Sequence, residues 1–246
     1  ITTLLMYRVV QAHWQWSPLP AAMAVGGFLL IDLAFFLANA QKIPHGGWFP
    51  LLLGAAVFTV MSTWARGRAI VADHLREQFP PLLQFAREVL SQVQCRTAGR
   101  AVFLSQHPDI TPPALLQNVR HNKSLHEQVY ILTVRTEPVP YVPSGGPLEI
   151  TTIQENLFQV VARCGFMETP DIPRVLTYLA ARGHTLPVDE TTFFLSRLTL
   201  FATPKPGMAI WREKIFVFLS RNTQRASSYF HLPAEQVVEI GLVLEI

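Results

Sequence analysis

From Pro18 to Gln41 the chain carries one formal charge, Asp32, and from Trp48 to Trp64 it carries none. Between these apolar segments lies a short loop with Lys42, Pro44, His45, Gly46 and Gly47. Crossing a bilayer core takes about 20 apolar helical residues, so 18–41 and 48–64 are both long enough, the second only just. A loop of this size joins antiparallel neighbours. The pattern predicts a transmembrane hairpin that returns the chain, after Arg66, to the side on which it began. Ile1 to Val10 is apolar apart from Arg8 and too short to span. It reads as the trailing end of another membrane helix, so the expected membrane segment is 1–66. With no initiator Met and no signal-peptide layout, the chain is expected to be the C-terminal part of a longer protein.

After Arg66 polar and apolar residues alternate as in a globular domain. Residues 67–99 read as a helical connector, with Pro80-Pro81 ending or kinking the helix over Ile70 to Val93. Residues 100–246 then predict an α/β domain with a mixed sheet. Ala101 to Leu104 and Val129 to Val134 are buried strands, and Pro112 to Lys123 is a helix between them, a strand–helix–strand order that suggests a parallel crossover. Pro138 to Pro147 is a turn-rich excursion. Leu148 to Ile153 and Leu157 to Cys164 form a hairpin turning near Glu155-Asn156. A helix from Asp171 to Arg182 has Asp171 as N-cap and Gly183 as its stop. Thr192 to Leu200 is a strand, Gly207 to Arg225 a long helix, and Val237 to Ile246 a closing strand.

Composition sharpens this division. Half the residues are hydrophobic and 15% are charged, against about 25% charged in an average soluble domain. The net charge of +3 is spread out, with no Lys/Arg block of the kind nucleic acid demands. Cys95 and Cys164 lie far apart in no metal or redox spacing, which suits a cytosolic soluble part. Arg8, Arg66, Arg68 and Arg76 flank the open ends of the hairpin and only Lys42 sits in its loop, so the open ends are expected in the cytoplasm. Trp14, Trp16, Trp48 and Trp64 fall at the span ends, where indole rings prefer the headgroup zone.

Asp32 is the one residue of the membrane segment with a sharp functional reading. A carboxylate in a span is costly and often marks a proton or ion path. Alternatively it bonds a neighbouring helix and holds the bundle together, the stronger reading for an acid without a second ionisable group to relay to. Gly26-Gly27 and Gly54-Ala55-Ala56 are small residues that let helices pack closely. In the tail there is no phosphate-cradling GxxxxGK[ST], no GxGxxG, no GxSxG and no HExxH. His121 and His126 are five apart and do not make a metal pair. Arg120-His121-Asn122-Lys123 is better read as basic residues at a helix C-terminus than as an anion site. On the 207–225 helix, Met208, Trp211, Ile215, Phe218, Leu219 and Asn222 share a face opposite Arg212 and Glu213. That face is expected to pack on the sheet, with a membrane or partner contact as the alternative.

Several motifs in fixed order carry a resemblance. They are Asp32 with Phe36 and Asn39; Gly46-Gly47-Trp48-Phe49-Pro50-Leu51; Thr59-Val60-Met61-Ser62-Thr63-Trp64; Asn118 to Lys123 with Leu125-His126-Glu127; Gly165-Phe166-Met167-Glu168-Thr169-Pro170; Thr192-Phe193-Phe194-Leu195-Ser196; and Pro233 to Ile246. Over its whole length the chain resembles the bacterial Kup-type potassium uptake transporters, the KUP/HAK/KT family. The resemblance implies a multi-pass potassium importer of the inner membrane, driven by proton symport, with K+ as transported ion, H+ as coupling ion and no cofactor. It further implies a homodimer in the lipid bilayer with a cytosolic domain that regulates or dimerises; some relatives sense nucleotides there. By the same resemblance the chain holds the last two spans and the end of a third, and the helices that coordinate K+ lie before it. No K+ ligand is carried over, and Asp32 matches the family's acid in the corresponding span. The competing readings are a membrane-anchored α/β enzyme and a nucleotide-sensing module. The first lacks any catalytic spacing in the tail, and the second lacks a recognisable nucleotide loop.

Overall fold

In a computed structural model, residues 2–90, 93–142, 148–201, 203, 207–223 and 229–245 are described. The Gly/Pro-rich stretch 143–147, the expected helix end at 224–225, and Ile1 and Ile246 lie outside the described residues. The chain divides into two compact units, Ile1–Ser62 and Thr63–Ile246.

The first unit begins with α1 (Thr2–His13) and α2 (Pro18–Ala40). Proline in the first turn of α2 costs nothing, because the N–H it removes would be unpaired there anyway. A π-helical turn, Ile43–Gly47, follows. Gly46 adopts φ +113°, a conformation that side-chain-bearing residues avoid, and the chain kinks there into α3 (Trp48–Gln78). Among the described residues two helices are long and apolar enough to cross a membrane, Pro18–Ala40 and the stretch Ile43–Gln78. Apart from buried Ala21 and Val25 and half-buried Gly26, Leu29 and Ala40, α2 exposes its side chains, Phe28, Leu30, Phe35 and Phe36 among them. A helix apolar on every side needs lipid or further helices as its solvent. The expected stop falls where Pro80-Pro81 require it: α3 ends at Gln78, and α4 (Leu82–Glu88) opens from Pro81.

The second unit is an α/β domain. Its strands are β1 (Cys95–Ser105), β2 (Ser124–Glu137), β3 (Glu149–Gln154), β4 (Leu157–Gly165), β5 (Thr191–Phe201) and β6 (Val237–Glu245). Among the described residues they form one six-stranded mixed sheet, ordered β3-β4-β2-β1-β5-β6. Only β3 runs antiparallel, as the hairpin partner of β4. Helix α5 (Pro113–Gln117) lies in the parallel crossover from β1 to β2, whose register sets Phe103 opposite Ile131.

Alternation along β1 sorts the core. Ala101 and Phe103 point to one face, where Leu75, Phe79, Leu82 and Phe85 cover the sheet together with Leu115 and Leu116 of α5. Val102 and Leu104 point to the other, against Ile172, Leu176 and Leu179 of α6 (Ile172–Ala180). Both faces are covered, which is why the central strands read as unbroken apolar runs rather than as alternating ones. Phe103 and Phe194 stack with centroids 4.5 Å apart where β1 meets β5.

Several elements differ from the sequence expectation, β2 among them, which runs Ser124–Glu137 rather than Val129 to Val134. Strand β1 starts at Cys95 rather than Ala101, because Cys95–Thr97 pair with Ser124–His126 across an irregularity at Gly99, which has φ +104°. The helix expected over Pro112 to Lys123 stays α-helical only to Gln117 and closes in a π-helical turn, Asn118–Asn122. The expected long helix from Gly207 is α7 (Ile210–Arg221), and it turns a different face inward, as described below.

Candidate functional site

Asp32 lies on α2, and the Thr3 hydroxyl of α1 donates to its Oδ2. A hydroxyl on the neighbouring helix is the partner expected of an acid that holds a bundle together. Two turns further along, Asn39 Nδ2 donates to the Phe35 carbonyl (2.9 Å), leaving its Oδ1 to face Lys42 Nζ at 3.5 Å.

In the domain, the segment Gly165 to Pro170 forms a seat for the chain at 139–142. Phe166 N–H donates to the Val139 carbonyl (2.9 Å) and Met167 N–H to that of Pro140 (3.1 Å). Glu168 Oε2 accepts the Gly165 N–H (2.6 Å) and the Val142 N–H (3.1 Å). These backbone donors hold the Glu168 carboxyl below the usual carboxylate range. A Cβ at Gly165 would collide with the Pro140 carbonyl. Glu168 thus has an identifiable task that sequence reading did not assign, since its partners are backbone groups that leave no side-chain pattern.

The run Arg120–Lys123 closes a turn. Asn118 Nδ2 donates to the Ser124 carbonyl (2.9 Å) while its Oδ1 accepts from Asn122 Nδ2 (2.8 Å), and Lys123 takes φ +51°. His121 stays exposed on this turn, whereas His126 lies on β2 with its ring edge-on to Phe194 at 5.7 Å. Burial lowers the His126 pKa, and its Nδ1 has no hydrogen-bond partner among the described residues. The two histidines are not brought together. Among the described residues no three His, Cys, Asp or Glu side chains cluster as a metal site.

Open α/β sheets bind ligands beyond the carboxyl ends of the strands, where the strand order reverses. Here that point lies between β1 and β5, and three hydroxyls near it are engaged within the chain, while that of Thr133, opposite Ser105 on β2, has no hydrogen-bond partner among the described residues. Ser105 Oγ donates to the His107 carbonyl (2.7 Å), and Ser196 Oγ accepts the Ala114 N–H (3.0 Å). Thr111 Oγ1 donates to the Pro80 carbonyl at 2.8 Å. Burial lowers the His107 pKa, as do the charges of Arg76 and Arg68. The Cys164 thiol is pushed up by burial, the opposite of an activated nucleophile.

Helix α7 corrects an expectation. The residues it buries are Glu213, Phe216 and Val217, while Trp211 and Phe218 are 55% and 67% exposed. Its inner face meets Leu200, Leu244 and the Thr63–Val71 stretch of α3. Phe216 packs on Trp64 with centroids 5.4 Å apart, Arg212 Nε donates to Thr63 Oγ1 (2.9 Å), and a Cβ at Gly67 would enter the Phe216 ring. Glu213 is 1% exposed and its Oε2 has no hydrogen-bond partner among the described residues. An acidic residue on the buried side is why hydrophobic patterning chose the opposite face.

Two family models divide the chain between them. The K+ potassium transporter integral membrane domain matches residues 1–69, and the K+ potassium transporter C-terminal domain matches residues 98–246. The chain belongs to the Kup-type potassium transporter family. Relatives in this family match it from end to end. One from Chromobacterium violaceum, named "Probable potassium transport system protein Kup 2", is 45% identical over 247 residues, covering 100% of this chain and 40% of the relative. A Kup 1 protein of Rhodopseudomonas palustris is 43% identical over 246 residues, again 100% of the chain and 40% of the relative. A Kup protein of Myxococcus xanthus is 45% identical over 249 residues, or 100% and 38%. The chain therefore spans about 40% of the length of the curated relatives it matches. No solved structure matches it. The membrane-domain match makes this Kup-family chain part of an integral membrane protein, with α2 and the first part of α3 as its long apolar helices.

Proposed function

We propose that the full-length protein imports K+ across the bacterial inner membrane together with H+, and that the α/β domain stands in the cytoplasm. The observation that carries this reading is the end-to-end match, through membrane segment and domain alike, to proteins named as potassium transport systems. The orientation is supported by Arg8, Arg66, Arg68 and Arg76 at the open ends of the hairpin, against Lys42 alone in its loop. The membrane part of this chain is α1, α2 and the first part of α3, and the K+ ligands belong to the length of the relatives that it does not cover. The domain regulates transport through contact between two protomers; a nucleotide ligand there has no phosphate loop to recommend it. Asp32 serves as a bundle-holding acid, a role favoured by its bond from Thr3.

The full-length protein in liposomes with a lumenal pH dye and a permeant anion for charge balance tests the coupling. External K+ is expected to acidify the lumen as the ion enters with a proton. Potassium entry with no change in lumenal pH contradicts symport. In the same assay Asp32→Asn is expected to retain proton coupling, and loss of acidification with K+ entry intact would make Asp32 a proton carrier instead.

A further inference from the structure

The outward face of α7 is an unused surface whose composition and position agree. Buried Glu213, Phe216 and Val217 fix one side of the helix, and at 100° per residue Trp211, Ile215 and Phe218 fall on the opposite side. Trp211 and Phe218 are both more than half exposed, and Ile215 between them is half-buried. Lys214 and Arg221 border this apolar strip along one edge, and both are exposed. Tryptophan and phenylalanine flanked by basic residues make up the composition of a helix lying in a membrane interface.

Its neighbours give the depth. Helix α7 is held by Thr63, Trp64, Ile70 and Val71, with Gly67 against Phe216. These residues follow directly on the uncharged run that ends at Trp64. From Trp64 to Val71 a helix rises roughly 10 Å. The headgroup zone outside the hydrocarbon core is roughly 5–8 Å deep on each side. A helix seated against the Trp64 to Gly67 end of this stretch stands at headgroup level, with Val71 just beyond it, and Arg66 and Arg68 add positive charge at the same level.

We propose that α7 is an interfacial helix, with Trp211, Ile215 and Phe218 inserted at the headgroup–acyl boundary and Lys214 and Arg221 against anionic lipid headgroups. The proposal rests on the cytoplasmic reading above only for the choice of leaflet. Its consequence is that the domain meets the bilayer through its own helix as well as through the chain connection, so the lipid surface bears on the orientation of the domain.

Nitroxide labels on the full-length protein in phosphatidylglycerol-containing liposomes test this, introduced one at a time as Trp211→Cys, Ile215→Cys and Phe218→Cys in a background without other cysteines. Trp211 and Phe218 are exposed and Ile215 is half-buried outside the packed cluster, so these changes spare the core residues Glu213, Phe216 and Val217, and three positions guard against a single misfolded variant. A label at Glu155→Cys, in the exposed β3–β4 turn, serves as the aqueous reference. At 211, 215 and 218 accessibility to oxygen is expected to exceed accessibility to a water-soluble nickel complex, with the reverse at 155. Nickel accessibility equal to the reference at all three positions overturns the proposal in favour of a solvated face. Exclusion of both reagents overturns it in favour of protein cover, from other spans or a second copy. Leaflet is read separately, from labelling of exposed Cys95 by an impermeant maleimide in right-side-out vesicles retaining native cysteine only at that position. Protection of Cys95 fits the cytoplasmic reading, and its labelling overturns that reading while leaving the oxygen and nickel result to judge the interface.

Discussion

Gly67 and Glu168 are two single residues on which whole contacts depend. Gly67 leaves the space that the Phe216 ring fills, so a larger residue must push α7 away from α3. Overpacking of this kind costs about 1–3 kcal/mol, and emptying the site by Phe216→Ala costs about 3–5 kcal/mol. Thermal unfolding of the detergent-solubilised protein is expected to report both Gly67→Val and Phe216→Ala as destabilised; an unchanged Tm for both would mean that α7 is not held there. Glu168 differs in that its contribution depends on pH. Its carboxyl is held below the ordinary value of 4.5 in the folded protein by the Gly165 and Val142 N–H groups. Its stabilisation is therefore complete above that value and is lost as pH falls through the lower, folded one. Histidine acts in the same direction at higher pH: His107 and His126 are held below 6.5, so protonating them favours the unfolded chain as pH falls past 6.5. Stability is expected to drop in two steps on acidification. Glu168→Gln should flatten the lower step and His126→Leu should reduce the upper one, as read by Tm against pH.

At the scale of elements, local chemistry decides most of the boundaries. Asp171 Oδ1 accepts the Arg174 N–H and caps α6, whose Ile172, Leu176 and Leu179 lie under the sheet. Asp171→Ala is expected to cost about 1 kcal/mol, measured as a lower unfolding midpoint, and an unaltered midpoint would remove the cap from the account. This helix was legible because its cap Asp171, Pro173 in its first turn and its stop at Gly183 are all nearest-neighbour features. So were the β3–β4 hairpin, with Asn156 at φ +62° in its turn, and the end of α3 before Pro80-Pro81. What escaped the sequence was long-range. The polar start of β1 is strand only because Ser124–His126 lie beside it, and no periodicity marks such a pairing. The inner face of α7 escaped because apolar residues occupy both sides of the helix. Glu213 sits on the buried side, so ranking faces by hydrophobicity selected Trp211 and Phe218 for the core.

At the scale of the molecule, a membrane segment and an α/β domain occur in one chain, and both match the Kup-type family. The membrane segment was plain in the sequence because an uncharged run of spanning length has few other uses. The candidate site was less legible: Asp32 stood out by its charge, but its bond from Thr3 joins two helices whose packing no local pattern encodes. Potassium import by the full-length protein is the central claim, and rubidium uptake tests it most directly. The comparison is between cells lacking other potassium importers that carry the gene and the same cells with empty vector, with the protein's presence in the membrane verified. The account predicts rubidium accumulation well above the vector control, competed by external K+. Uptake no greater than the vector control, with the protein present in the membrane, would contradict it.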